Sequence, residues 1–209
     1  MSRLAFYPND AGVTLLDERG VIYREPGFAL LDGDELVTGS TAHQRARIDP
    51  RGIQNRYWLN LSTDKLADRR FEHLSTADLV SRQLEDIWSS STLSGREVVV
   101  VVPTYLSTDR LGLLLGIFAE HDVPVVAMVD AAAAATRREY TNAVPIHLEM
   151  GLHTTTLTRI GQSGQALAES TEMLEDCGIA RLHDTWLSTI AECFVQHSQN
   201  CLYCQTSQA

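Results

Sequence analysis

The sequence predicts a mixed α/β fold, and three observations lead there. Two strand-turn-strand patterns open the chain, helix and strand patterns alternate between residues 75 and 139, and hairpins return from Ile146. Alternating strand and helix implies a parallel strand pair joined by a crossover, whereas the flanking short turns imply antiparallel pairs.

Residues 3–7 and 12–18 form the first predicted hairpin, with Pro8, Asn9 and Asp10 as its turn. Glu18-Arg19-Gly20 turns the chain into "VIY", and Asp32-Gly33-Asp34 turns "FALL" into "LVTG". Ser40 is placed to cap a short helix, "TAHQRAR", that stops near Asp49-Pro50. Residues 51–74 read as polar, arginine-bearing loop. Ser75 opens a clearer helix: Asp78 stands three positions on, as in a capping box, and Val80, Leu84, Ile87 and Trp88 share one face.

"REVVVVVP" reads as a strand covered on both faces. Ser107 caps the next helix, whose Leu111, Leu114, Leu115 and Phe118 form an apolar stripe. "VPVVAMV" predicts a second buried strand, adjacent and parallel to the first in the centre of the sheet, and "DAAAAATRRE" is a strong helix former. "IHLEMG", "TTTLTRI" and "QALAEST" then predict hairpin strands. A final amphipathic helix runs from about Ile179 to Gln199, with Leu187, Ile190, Ala191 and Phe194 on one side.

The bulk numbers exclude some functions. Of 209 residues, 44% are apolar and 21% charged, and the net charge is −10, so phosphate backbones and anionic lipid are repelled. No nucleic-acid or membrane partner is expected. The opening "MSRLAFYPND" lacks a secretory pattern, and the longest apolar runs are strand-length, which predicts a cytoplasmic protein. The basic residues are nearly all arginine; Lys65 is the sole lysine.

Motif chemistry narrows the field further. The chain contains no G-x-G-x-x-G, no G-x-x-x-x-G-K-[ST] and no G-x-S-x-G. Cys193, His197, Cys201 and Cys204 follow a helical spacing that suits zinc ligands in type. Four ligands along one rigid helix do not converge on one ion, so zinc would require a break near Gln199-Asn200. Without it the cysteines belong to a helix stripe. The basic stretch "HQRARIDPRGIQNR" reads as a solvated helix and loop, with anion contact as the alternative.

Several segments together carry a family resemblance. "DGDELVTGSTAHQRARIDP", "VVVVVPTYLSTDRLGLLLGIFAEHDVPVVAMVDAAAAA" and "EMGLHTT" resemble, in order, three segments of one domain. It is the nucleotide-binding domain of the 70-kilodalton heat-shock chaperones, in the superfamily shared with actin and sugar kinases. The resemblance covers nearly the whole chain, and residues 98–160 are its specific part. It implies a ribonuclease H-like, actin-type ATPase fold, with a first lobe over 1–140 and a partial second lobe over 141–209. Each lobe would contribute a phosphate-binding hairpin.

Site roles follow by resemblance, position by position. Glu149 stands where the family's second hairpin has its aspartate, Gly151 and Thr154 are kept, and Leu152 and His153 replace glycines. Asp130 stands for the family's hinge glutamate and Ala131 for its proline. Asp130 and Glu149 are thus the candidate catalytic residues, and Asp10, Gly151 and Thr154 the candidate nucleotide contacts. Against this, Phe6 stands for the first hairpin's aspartate and Pro8 for a glycine. Lys65 falls too late for the catalytic lysine, expected near Arg56–Trp58, and no Gly-Gly adenosine motif occurs.

The functional expectation is therefore a divergent chaperone-like protein with a degenerate nucleotide site. ATP and magnesium would belong to a longer parent, and no cofactor is expected for this chain. The alternatives are an N-terminal fragment of a longer ATP-binding chaperone-like protein and a non-catalytic interaction scaffold. A half-built second lobe would leave Leu187, Ile190 and Phe194 uncovered. Exposed apolar patches above about 400 Å² seldom persist on monomers, so a homo-oligomer is expected, with these helix faces meeting across a two-fold axis and residues 145–200 required.

Overall fold

A computed structural model of the chain describes residues 3–33, 35–90, 93 and 95–205, with side chains through His197 except that of Ser90. Strands β1 (Leu4–Asn9), β2 (Gly12–Asp17), β3 (Gly20–Pro26), β7 (Val98–Val102) and β8 (Val125–Asp130) form one mixed sheet in the order β3-β2-β1-β7-β8. β1, β2 and β3 are antiparallel, and β1, β7 and β8 are parallel. Strands β4 (Ala29–Asp32), β5 (Glu35–Thr38) and β6 (Ile53–Gln54) make a small antiparallel sheet beside it. Strands β9 (Ile146–Met150), β10 (Thr155–Gln162) and β11 (Ala166–Leu174) form a third sheet in the order β11-β10-β9. The architecture is mixed α/β.

The helices are α1 (Gly39–Arg45), α2 (Thr76–Ser90), α3 (Thr108–Glu120), α4 (Ala131–Ala135) and α5 (Ile179–Gln205). The expected capping box starts α2. Asp78 Oδ2 accepts from the Ser75 backbone N–H at 2.7 Å, and Ser75 Oγ accepts from the Asp78 N–H at 3.2 Å. Ser107 Oγ likewise accepts from the Arg110 N–H at the start of α3. Between them the core forms, because β1 and β7 alternate buried and half-buried residues under α2 and α3. Phe6 meets Phe118 edge-to-face at 5.0 Å, and buried Gln83 accepts from Tyr57 Oη and Trp58 Nε1, both at 2.7 Å. Phe6 is therefore a core residue; Pro8 lies in β1 beyond the last residue paired with β7.

Four expectations need correction. β7 and β8 are adjacent and parallel, but β8 is the edge strand of its sheet and exposes Val126 and Met128, so it is neither central nor buried. A β-branched run reads alike whether or not anything covers it. The alanine run yields only α4, one turn and a little more. It stops at Thr136, whose backbone is extended and whose hydroxyl turns back to the Ala132 carbonyl. Ser40 lies inside α1 instead of capping it, and the Glu25 carboxylate accepts its backbone N–H. The first hairpin turns at Asp10-Ala11, because β1 runs on to Asn9.

α5 continues through Gln199-Asn200 without the break that a zinc site would need. Cys193 and Cys177 are exposed free thiols; the side chains of Cys201 and Cys204 lie outside the described residues. Among the described residues no group of three or more His, Cys, Asp or Glu side chains could hold a metal, and no helix is long and apolar enough to cross a membrane.

Candidate functional site

The tip of the first hairpin and the first turn of the third sheet meet at Asp10. The turn Gly151–Thr154 joins β9 to β10 and is closed by a hydrogen bond from the Gly151 N–H to the Thr154 carbonyl at 2.8 Å. Three successive backbone N–H groups of this turn point to one place. Leu152 N donates to Asp10 Oδ1 at 2.6 Å, and His153 N and Thr154 N donate to Asp10 Oδ2 at 2.7 and 3.0 Å. Thr154 Oγ1 adds a fourth donor at 3.1 Å. Asp10 is 1% exposed. A concave set of amides of this kind is an anion-binding nest, and the anion is the protein's own carboxylate.

Gly151 is required by that packing. A Cβ there would overlap the Asp10 carboxylate, reaching within 2.7 Å of Oδ2 and closer still to its other atoms. The carbonyl side of the same turn is also in use: Gly151 O accepts from Ile179 N at 3.0 Å and Leu152 O from Ala180 N at 2.9 Å, so the turn caps the start of α5. An Arg56–Asp176 ion pair at 2.6 Å ties the segment before α5 to the loop after β6. His153 places Nε2 3.1 Å from the Asn55 carbonyl, to which it donates. Burial and then the Arg56 guanidinium hold this imidazole below its ordinary pKa.

Beside the nest lies an acidic, tyrosine-lined seam. The Tyr7 hydroxyl donates to Glu149 Oε1. β10 faces this seam with Thr156, paired in register with Glu149, and with Thr158, paired with His147; Thr158 Oγ1 also donates to Thr104 Oγ1 at 3.2 Å. Four buried polar atoms here have no hydrogen-bond partner among the described residues: Glu149 Oε2, Tyr105 Oη, Thr156 Oγ1 and His147 Nδ1. Burial first, and then neighbouring carboxylates, push both tyrosine hydroxyls well above their usual pKa; Glu149 leads for Tyr7, and Asp10 and Glu149 for Tyr105. Both are neutral donors at physiological pH.

Of the residues singled out from sequence, Asp10, Gly151 and Thr154 are therefore brought into direct contact. Glu149 lies on β9 two residues before Gly151 and is bonded to Tyr7. Asp130 adds to the negative field felt by Glu149, yet one of its oxygens is committed to the Ala133 N–H as the N-cap of α4. Sequence reasoning missed Tyr7, Tyr105, Thr156 and the amide of His153. Alternation along β1 puts Tyr7 on the face opposite Phe6, a signal that was present but did not identify its partner.

Glu149 supplies a pH prediction. Burial raises its carboxyl above the ordinary range, although the Tyr7 hydrogen bond pulls the other way. The folded chain thus holds this proton to higher pH than the unfolded chain does. The stability that protonation confers is complete below the ordinary carboxylate pKa and is lost as pH rises through the folded value. Glu149→Gln removes this loss. Thermal melts should show the variant gaining about 2–4 °C over the unmodified chain at pH 8, the shift that 1 kcal/mol makes at this size, with convergence near pH 4. A variant less stable at pH 8 than at pH 4, relative to the unmodified chain, contradicts the assignment.

No protein-family model matches the chain, and no curated protein matches it.

Proposed function

We propose that the chain is a divergent relative of the heat-shock-chaperone nucleotide-binding domain, of actin-type ATPase fold, that has exchanged nucleotide chemistry for a structural and interaction role. The observation that carries this reading is the Asp10 carboxylate in the amide nest of residues 152–154. Two hairpins meeting tip to turn is the relation that the resemblance implies for phosphate hairpins, and here the space between them is taken by a side chain.

The residues present do not fit a magnesium nucleotide. Both Asp10 oxygens are spent on the turn, Glu149 Oε1 is spent on Tyr7, and Asp130 caps α4. Two arginines whose charges reach His153 and Tyr105 are engaged with other partners: Arg56 with Asp176, and Arg110 Nη1 with the Leu59 carbonyl at 3.0 Å. The carboxylates of Asp10, Glu149 and Asp130 repel a polyphosphate, by about 4 kcal/mol for each like-charge pair 4 Å apart at an effective dielectric of 20. No catalytic step is assigned to the seam.

Calorimetric titration with ATP and magnesium tests the reading. We expect no binding tighter than millimolar and no magnesium-dependent hydrolysis. A micromolar dissociation constant, competed by ADP, refutes it.

A further inference from the structure

β9 of the third sheet and α5 each present apolar side chains that none of the described residues covers. On the sheet, alternation sends His147, Glu149, Thr156 and Thr158 toward the seam and Ile146, Leu148 and Met150 outward. Leu174 lies opposite Thr155 on the outward face, where Thr155 is buried and donates to the Cys177 carbonyl, and Arg159, opposite Ile146, pairs with Glu169 at 3.0 Å at the far end. Ile146, Leu148 and Met150 are 65%, 59% and 49% exposed. α5 is exposed along its described length, with Leu187 at 66% and Phe194 at 74%.

The helix is strongly sided all the same. At 100° per residue, Ile179, Leu182, Trp186, Leu187, Ile190 and Phe194 fall within a stripe roughly 140° wide that also holds His183 and His197, and Arg181, Asp184 and Glu192 fall outside it. That breadth suits a helix lying on a sheet, being wider than the narrow seam of a two-helix coil. α5 does not fold onto its own sheet. Its first amides are held by the Gly151 and Leu152 carbonyls, and the Arg56–Asp176 pair fixes the segment before it.

The surface as a whole points the same way. A compact monomer of 23.1 kDa exposes about 9,700 Å² by the usual scaling, whereas this chain exposes 13273 Å². The excess of roughly 3,600 Å² per copy is more than the about 1,000–2,500 Å² that each partner gives to an obligate homodimer interface, so the open surface is ample for one.

We infer that two copies of this chain associate by exchanging α5, each helix seating its apolar stripe on the outward face of β9–β11 of the other copy. One chain holds both halves of the contact, a sheet lacking a helix and a helix lacking a sheet. Two-fold pairing satisfies both halves at once and closes, leaving no free end for further growth. This differs from the helix-to-helix contact expected from sequence, because the sheet face is an equal partner. The inference does not depend on the nucleotide reading.

Light scattering behind size-exclusion chromatography at tens of micromolar tests it. The unmodified chain should elute at twice its 23.1 kDa mass. Ile190→Asp with Phe194→Asp on the helix, and Leu148→Asp on the sheet, should each raise the dimer dissociation constant at least 100-fold and give monomers. Mixing the two variants should restore a dimer, since one native helix still meets one native sheet. Thermal melts confirm that each variant is folded. If Leu148→Asp melts early, Leu148→Gln and concentration-dependent amide protection along α5 read the same contact. An unmodified chain that is monomeric at this concentration overturns the inference, as does a sheet variant that stays fully dimeric. So does a mixture that fails to reassociate.

Discussion

Replacing Asp10 with alanine should destabilise the chain by about 3–5 kcal/mol, the largest loss expected from any single polar residue here. The side chain contributes little apolar burial, so the cost comes from what it leaves behind. Three backbone N–H groups and the Thr154 hydroxyl lose their acceptor in a buried place, and each buried unsatisfied donor costs about 1–3 kcal/mol before water relieves part of it. Asp10→Asn should recover part of the loss, since one amide oxygen can still accept while the NH₂ faces donors. Urea unfolding followed by circular dichroism measures both. An alanine variant within 1 kcal/mol of the unmodified chain would mean that the carboxylate does not hold the turn.

Gly151→Ala should cost about 3 kcal/mol, and the reason is specific to Asp10. The backbone at Gly151 does not need the left-handed region, so alanine is acceptable there by conformation alone. The added methyl meets a carboxylate that four hydrogen bonds keep from moving aside. In an Asp10→Ala background the same substitution should cost less than about 1 kcal/mol, giving a coupling of about 2 kcal/mol in the double-mutant cycle. Additive losses would place the strain elsewhere in the turn.

These predictions rest on contacts that the sequence shows only in part. The periodicity at Ser75–Trp88, the Ser107 cap and the three hairpin strands after Ile146 follow from neighbours a few residues apart, and each forms as expected. The order of elements also places β7 beside β8. What local pattern cannot convey is cover. "VPVVAMV" has the composition of a buried strand, yet β8 lies at a sheet edge with Val126 and Met128 exposed, and α5 has an apolar stripe with none of the described residues covering it. The alanine run has high helix propensity, but five residues barely pass nucleation, so the threonine after them decides where the helix ends.

The site was legible as residue types and illegible as pairings. Gly151 and Thr154 stand out in "EMGLHTT", and Asp10 stands out in a turn, but the bonds that join them span more than 140 positions. Tyr7 and Glu149 are equally distant in sequence. Nothing in either local pattern says that an aspartate side chain, in place of a ligand, fills the amides of the second hairpin.

The most direct test of that claim is the response of the Asp10→Ala chain to inorganic phosphate. With the carboxylate removed, the amides of residues 152–154 form a nest open to a small anion, and binding there stabilises the fold by mass action. Melting temperatures are compared in phosphate and in chloride at matched ionic strength, so that general salt effects appear equally in the unmodified protein. We predict that tens of millimolar phosphate raises the melting temperature of the Asp10→Ala chain by several degrees more than that of the unmodified chain. Equal shifts in the two proteins would contradict the account, since the turn would then not be an anion site for Asp10 to fill.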